Sequence, residues 1–176
     1  MTVAIGIVGC AGRMGRMVIQ EVLATEGCIL AGGTEMSGGH IGSDLGSLVG
    51  MDPVGVSVGD DPHALFSSSD VVIDFTVPAA TRLHAAAAEK TGTAYVVGTT
   101  GLAPDDQAVI DSAAQKVPTV QAPNFSVGVN LLFALTKQVA AKLGTDYDIE
   151  VLEMHHRHKV DAPSGTALGI GQAAAA

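Results

Sequence analysis

The chain has 176 residues, of which 47% are hydrophobic and 15% charged, and a formal net charge of −9. That length and composition suit a buried core and exclude disorder as the chain's global state. Eighteen acidic residues against nine basic ones repel a polyanion, so no nucleic-acid partner is expected, and only a local cationic cluster can receive an anion. Cys10 and Cys28 form neither a CxxC pair nor a framework spacing and read as buried, reduced thiols. No run reaches the roughly 18 apolar residues of a membrane span, and the N-terminus lacks the basic region of a secretory signal. The expectation is a cytoplasmic protein without a membrane partner.

Residues 3–8 are an unbroken apolar and glycine run, as in a strand buried on both faces of a parallel sheet. A helix over 13–25 follows, with Met14, Met17, Val18 and Val22 at helical spacing and Gly27 as its stop. A second strand runs from Cys28 to about Glu35. Residues 36–61 are glycine-rich and poorly periodic, with only V-S-V at 56–58 resembling a strand; loops of this length are often functional. Alternation then resumes: strand 71–75, helix 78–90 with proline in its first turn, strand 94–97, helix 104–116, strand 119–122. Strands separated by helices imply right-handed parallel βαβ units, hence an α/β, doubly wound, Rossmann-like sheet with its ligand at the carboxyl ends of the strands.

After Asn124 the pattern changes to a helix over 129–143, a strand over 149–154, a basic cluster, and a further helix after Pro163. This places a hinge near 123–128, where proline, glycine and asparagine concentrate. The last residues, G-I-G-Q-A-A-A-A, stop inside a helical pattern without a cap, which reads as truncation at the C-terminus.

G-C-A-G-R-M-G at 9–15 is a variant of the dinucleotide fingerprint G-x-G-x-x-G. Its glycines permit a tight turn, and the amides that open the helix can receive a pyrophosphate, with Arg13 as an added charge. Glycine is also needed there for close packing alone. Glu35 lies about 20 residues on, where a strand-end acid accepts ribose hydroxyls; its neighbour Met36 is no cation, so NADH is favoured over NADPH or both are accepted. G-T-T-G at 98–101 and A-P-N-F at 122–125 sit at other strand ends, and the residues alone leave each as either a cofactor border or an ordinary turn.

M-H-H-R-H-K at 154–159 gathers cations in an acidic protein. His155, His156 and His158 lack the spacing of a zinc helix. On a continuing strand His155, Arg157 and Lys159 face one way and His156 and His158 the other, so no metal is expected. The turn that follows, D-A-P-S-G-T, offers Asp161 and Ser164 as caps and the amides around Gly165 and Thr166 as an anion nest. Cations beside a helix start suit a carboxylate, and histidine and lysine can exchange protons near it.

Together these motifs, with V-I-D-F-T at 72–76 and E-M-H-H-R-H-K-V-D-A-P-S-G-T-A at 153–167, closely resemble the 4-hydroxy-tetrahydrodipicolinate reductase (dihydrodipicolinate reductase) family across nearly the whole chain. The resemblance implies a Rossmann-like dinucleotide-binding domain, 1–125, followed by the start of a smaller α+β substrate domain, 126–176. It implies NAD(P)H-dependent reduction of 4-hydroxy-tetrahydrodipicolinate, a small dicarboxylate, to tetrahydrodipicolinate in lysine and diaminopimelate biosynthesis, and a homotetramer at full length. By motif position it implies that His155 donates or accepts a proton, that Lys159 donates one, and that His156, Gly165 and Thr166 bind substrate carboxylates. It implies cofactor contacts from Gly9, Cys10, Ala11, Gly12, Arg13, Met14, Glu35, Gly98, Thr99, Thr100, Ala122, Pro123, Asn124 and Phe125. The basic residues that family members often carry after the strand-2 acid and in D-F-T-x-P are here Met36 and Val77, and full activity is not expected from a chain of this length. The rival readings are a non-catalytic dinucleotide sensor and another Rossmann oxidoreductase acting on a small carboxylate.

Overall fold

The structure is a computed structural model that describes residues 2–36, 38–155, 157 and 162–176. It divides into two compact units, Met1–Gln121 and Ala122–Ala176. The first carries a six-stranded, wholly parallel sheet: β1 (Val3–Val8), β2 (Cys28–Thr34), β3 (Val58–Gly59), β4 (Val71–Asp74), β5 (Ala94–Val97) and β6 (Thr119–Gln121). Its helices are α1 (Arg13–Ala24), α2 (Leu45–Leu48), α3 (Pro62–Ser67), α4 (Pro78–Thr91) and α5 (Pro104–Ala114). The strand order is β3-β2-β1-β4-β5-β6, so the winding reverses between β1 and β4, the position where doubly wound sheets open a crevice for a ligand.

Strand alternation sorts the core into two layers. Ile5 and Ile7 point to one face with Ile19 and Val22 of α1, Leu30 and Leu45. Val8, Val72, Tyr95 and Val97 point to the other with Phe66 of α3, Ala85 and Ala88 of α4, and Ile110 and Ala113 of α5. Helix α1 buries Gly15, Ile19 and Val22, and the expected stripe is therefore rotated: Met14 and Met17 are exposed. The reason is Gly15, which lets that face lie flush on the β1 turn. A Cβ there would stand 2.3 Å from the Gly9 carbonyl oxygen.

The 36–61 segment is more ordered than its periodicity suggests. Asp44 caps α2 through the amides of Gly46 and Ser47, and its carboxylate also accepts from Val54 and Gly55. One side chain thus folds a glycine-rich stretch around itself and delivers the fully buried Leu45 to the core. Helix α3, which periodicity did not signal, is six residues long, capped by Asp61 with Pro62 in its first turn. Each is too short for a helical repeat to show.

The second unit contains α6 (Val127–Leu143), a 3-10 turn (Gly144–Asp146) and α7 (Gly165–Ala175). Among the described residues it has no strand, so the strand expected over 149–154 is absent. The apolar residues of I-E-V-L-E-M suit a strand locally, but a strand exists only as a hydrogen-bonded pair, and among the described residues this unit holds no partner strand. No strand therefore leads into residues 155–159 to set which way their side chains face. Helices α6 and α7 pack closely enough that a Cβ on Gly169 would lie 2.6 Å from the Phe133 ring. Among the described residues no helix is long and apolar enough to cross a membrane.

Candidate functional site

The switch point between β1 and β4 carries a cleft of about 360 Å³, lined by Gly9, Gly12, Glu35, Phe75, Thr76 and His84 among others. Gly9 turns the chain with φ +66°, and a Cβ there would lie 2.6 Å from the Thr76 methyl. Gly12 caps α1 without a side-chain bond, and the helical ladder begins with the Arg16 amide on the Gly12 carbonyl. The amides of Arg13, Met14 and Gly15 precede that first bond and have no acceptor within the helix, the condition that makes a helix start receptive to an anion. Glu35 follows β2 and accepts the Ala11 amide at 2.7 Å; a carboxylate retains lone pairs for further donors after one such bond. A second hollow of about 310 Å³, lined by Ala11, Gly12, Glu35, Met36, Gly38 and His40, adjoins the same acid. Arg16 ties the turn to its surroundings by donating from Nε to the Ala11 carbonyl at 2.8 Å and from Nη1 to the Leu48 carbonyl.

Cys10 belongs to this turn in sequence but not in exposure. Its side chain is fully buried, and burial, with the nearby Glu35 charge, pushes the thiol up to about 12. Only its backbone can meet a ligand. Both cysteines are free, and Cys28 is half-buried rather than buried.

Behind the cleft lies a buried polar cluster that motif reading left without a role. Asp74, 0% exposed, accepts from the Tyr95 hydroxyl at 2.5 Å and His84 Nδ1 at 2.7 Å through Oδ2. Through Oδ1 it accepts from the Thr76 amide at 2.8 Å, the Thr76 hydroxyl at 2.6 Å and the Thr99 hydroxyl at 3.3 Å. Burial opposes ionisation of this carboxyl, but the bonds and charge from His84 and the bonds from Thr76 and Tyr95 outweigh it and hold the group below the usual carboxylate range. Burial and the Asp74 charge push the Tyr95 phenol well above its usual range. The sequence signal was an acid closing an otherwise apolar strand, V-V-I-D, with a threonine two residues on.

In the second unit, Ser126 caps α6, and Asn124 accepts the Ser126 amide at 2.8 Å. Asn124 Nδ2 also donates to the Thr166 hydroxyl at 3.4 Å, which brings the A-P-N-F turn to the start of α7. Ser164 caps α7 by accepting the Ala167 amide at 3.0 Å. Glu153 receives the Ser164 amide at 2.7 Å and the Ser164 hydroxyl, and His155 Nδ1 lies 3.4 Å from the same carboxylate. One acid therefore joins His155 to the helix start that carries Gly165 and Thr166. His156, His158, Lys159 and Asp161 lie outside the described residues.

Family models match the chain along almost its whole length: dihydrodipicolinate reductase, N-terminus, over residues 3–125, and dihydrodipicolinate reductase, C-terminus, over residues 128–176. The chain belongs to the dihydrodipicolinate reductase family. Relatives of this family named 4-hydroxy-tetrahydrodipicolinate reductase include one from Magnetococcus marinus, 51% identical over 99% of this chain and 66% of its own length. Another, from Alkalilimnicola ehrlichii, is 50% identical over 98% of this chain and 65% of its own length. A dipicolinate-bound dihydrodipicolinate reductase from Paenisporosarcina sp. TG-14 is 28% identical and superimposes with a TM-score of 0.75 over 99% of this chain and 66% of that one. The chain thus spans 65% to 66% of the length of these family members.

Against the family motifs, Gly9, Gly12 and Glu35 line the main cleft, and Ala11 the adjoining hollow. Arg13 and Met14 stand exposed at the start of α1. Gly98 is pressed against Phe75, whose ring would lie 2.0 Å from an added Cβ. Thr99 is buried in the Asp74 cluster and Thr100 exposed. Ala122, Pro123, Asn124 and Phe125 belong to the second compact unit.

Proposed function

We propose that this protein is an NAD(P)H-dependent 4-hydroxy-tetrahydrodipicolinate reductase that forms tetrahydrodipicolinate in lysine and diaminopimelate biosynthesis. The observation that carries the reading is the pairing, within one member of this family, of two arrangements. One is the glycine turn and Glu35 at the sheet's switch point; the other is the Glu153-anchored His155 and helix start.

The residues of the first unit fit a dinucleotide. Gly9 and Gly15 sit where a Cβ would strike the Thr76 methyl or turn backbone, the first amides of α1 have no acceptor within the helix, and one acid stands at the end of β2. In this reading residues 9–14 line the cofactor, the amides of Arg13 and Met14 at the start of α1 receive its pyrophosphate, Glu35 accepts ribose hydroxyls, and residues 98–100 border the nicotinamide end; residues 122–125 are further cofactor contacts. Reduced dinucleotide supplies hydride when bound. His155, held through Nδ1 by Glu153, keeps Nε2 available to give and take a proton. Lys159 donates a proton, and His156 with the Gly165 and Thr166 helix start holds the substrate carboxylates.

NADH is preferred, or both cofactors are used. Among the described residues, the two cavities beside Glu35 are lined by Met36, Val77, His40 and the second acid Asp60, with no lysine or arginine. A 2′-phosphate there meets carboxylates and thioether rather than a guanidinium. The site of action is the cytoplasm, and the full-length assembly a homotetramer.

Calorimetric titration of dipicolinate, a planar dicarboxylate, into the NADH-loaded protein tests the reading, alongside reduction of the substrate followed by loss of NADH absorbance. Saturable dipicolinate binding that weakens in Thr166→Val supports it. Absence of binding in the presence of NADH overturns it.

A further inference from the structure

Asp74 closes β4 beside the switch point of the sheet and is fully buried. An ionised group loses its hydration in such a place, and an apolar side chain continuing V-V-I would avoid that loss. Stability alone therefore does not account for it. The distribution of its donors does.

Two donors belong to Thr76, in the turn after β4, and one to Thr99, in the turn after β5. The other two are Tyr95 of β5 and His84 of α4. Thr81, also on α4, completes the set by donating to the Thr99 hydroxyl at 2.8 Å and lying 3.4 Å from that of Thr76. One carboxylate thus links the turns at the ends of β4 and β5. Phe75, Thr76 and His84 reach the cleft, whereas Asp74 and Tyr95 are both 0% exposed behind them.

We propose that Asp74 is a positioning residue of the dinucleotide site, acting through Thr76, His84 and Thr99 to hold the turns after β4 and β5 at the spacing a bound dinucleotide requires. It does so without touching the ligand, and the inference rests on the dinucleotide reading given above. The chemistry demands a carboxylate. All five donor groups, from four residues, present N–H or O–H to its two oxygens, and an asparagine would turn an amide N–H₂ toward donors on one side or the other. Tyr95 is the partner whose loss perturbs least, because Tyr95→Phe removes a single oxygen from a position that contacts no ligand.

NADH is titrated calorimetrically into the full chain and into Tyr95→Phe, Asp74→Asn and the control Thr93→Val, well below their unfolding temperatures. Thr93 is also buried and donates to the Phe66 carbonyl at 2.7 Å, at the opposite end of β5. The expected result is an NADH Kd raised roughly tenfold in Tyr95→Phe and further in Asp74→Asn, the scale of a lost charge-assisted hydrogen bond. Thr93→Val should unfold at lower temperature with an unchanged Kd. Wild-type Kd values in folded cluster variants, with only their unfolding temperatures lowered, overturn the positioning role. If Asp74→Asn does not fold, Tyr95→Phe decides. If the wild-type chain binds neither NADH nor NADPH, the dinucleotide reading itself falls, and this inference with it.

Discussion

Gly15→Ala is the most direct challenge to the account of the glycine turn. The added Cβ would lie 2.3 Å from the Gly9 carbonyl oxygen and 2.7 and 2.8 Å from Cys10 Cα and carbonyl carbon. All three are backbone atoms of a turn fixed by the Gly9 and Cys10 amides on the Thr34 carbonyl. Ordinary contact begins at 3.4 Å, so the start of α1 must retreat by about 1 Å. Overpacking of this kind costs about 3 kcal/mol at the upper end of its usual range, and alanine returns at most about 1 kcal/mol of helix propensity. A net loss of about 2 kcal/mol lowers a urea midpoint by roughly 1 M for a slope near 2 kcal/mol per M. The same retreat draws the helix amides away from a bound pyrophosphate, so the NADH Kd measured by titration should rise about tenfold or more. Gly39→Ala is the matched control, since its Cβ meets nothing within 4 Å, and should leave stability within about 0.5 kcal/mol of wild type. Equal urea midpoints and equal Kd values for the two variants would refute the reasoning.

Met36→Arg, alone and with Val77→Arg, should lower the NADPH Kd by about tenfold, the effect of one charge-assisted contact to a 2′-phosphate, while leaving that for NADH nearly unchanged; parallel titrations of both cofactors check it. Cys10, with its thiol at about 12, presents a thiolate fraction near 10⁻⁴ at about pH 8. Iodoacetamide mapping by mass spectrometry should therefore label Cys28 in the native protein and Cys10 only on unfolding. Asp74 titrates in the folded state below its ordinary value of 3.8, so its ionisation stabilises the fold above that pH and the contribution is lost as pH falls through the folded value. Denaturant midpoints should consequently drop below about pH 4 in the wild type and less steeply in Asp74→Asn.

Much of the first unit was legible because local rules and the tertiary outcome agree. Short apolar strands alternate with helices opened by Pro78 and Pro104, and the glycines at 9, 12 and 15 mark a turn in which the Thr76 methyl at Gly9 and turn backbone at Gly15 leave no room for a Cβ. Glu35 could be placed beside that turn from its position after β2 alone, and its bond to the Ala11 amide is the tertiary expression of that register. The signal failed where segments were too short or lacked a partner. Helices α2 and α3 span four and six residues, below one helical repeat's evidence. At 149–154 the apolar residues suit a strand, but a strand's backbone groups need a neighbour to bond.

What the sequence by itself determined was the architecture and the family. Apolar periodicity, glycine positions and the run from Glu153 to Ala167 are local patterns, and local patterns carry that information. Only the tertiary structure decided which polar groups meet. The partners of Asp74 come from residues 76, 84, 95 and 99, and Glu153 takes its bonds from Ser164, eleven positions on. Neither pairing leaves a periodic trace in the sequence. A buried carboxylate is specified by donors that converge on it from separate elements, and that convergence exists only once the sheet and its helices have packed.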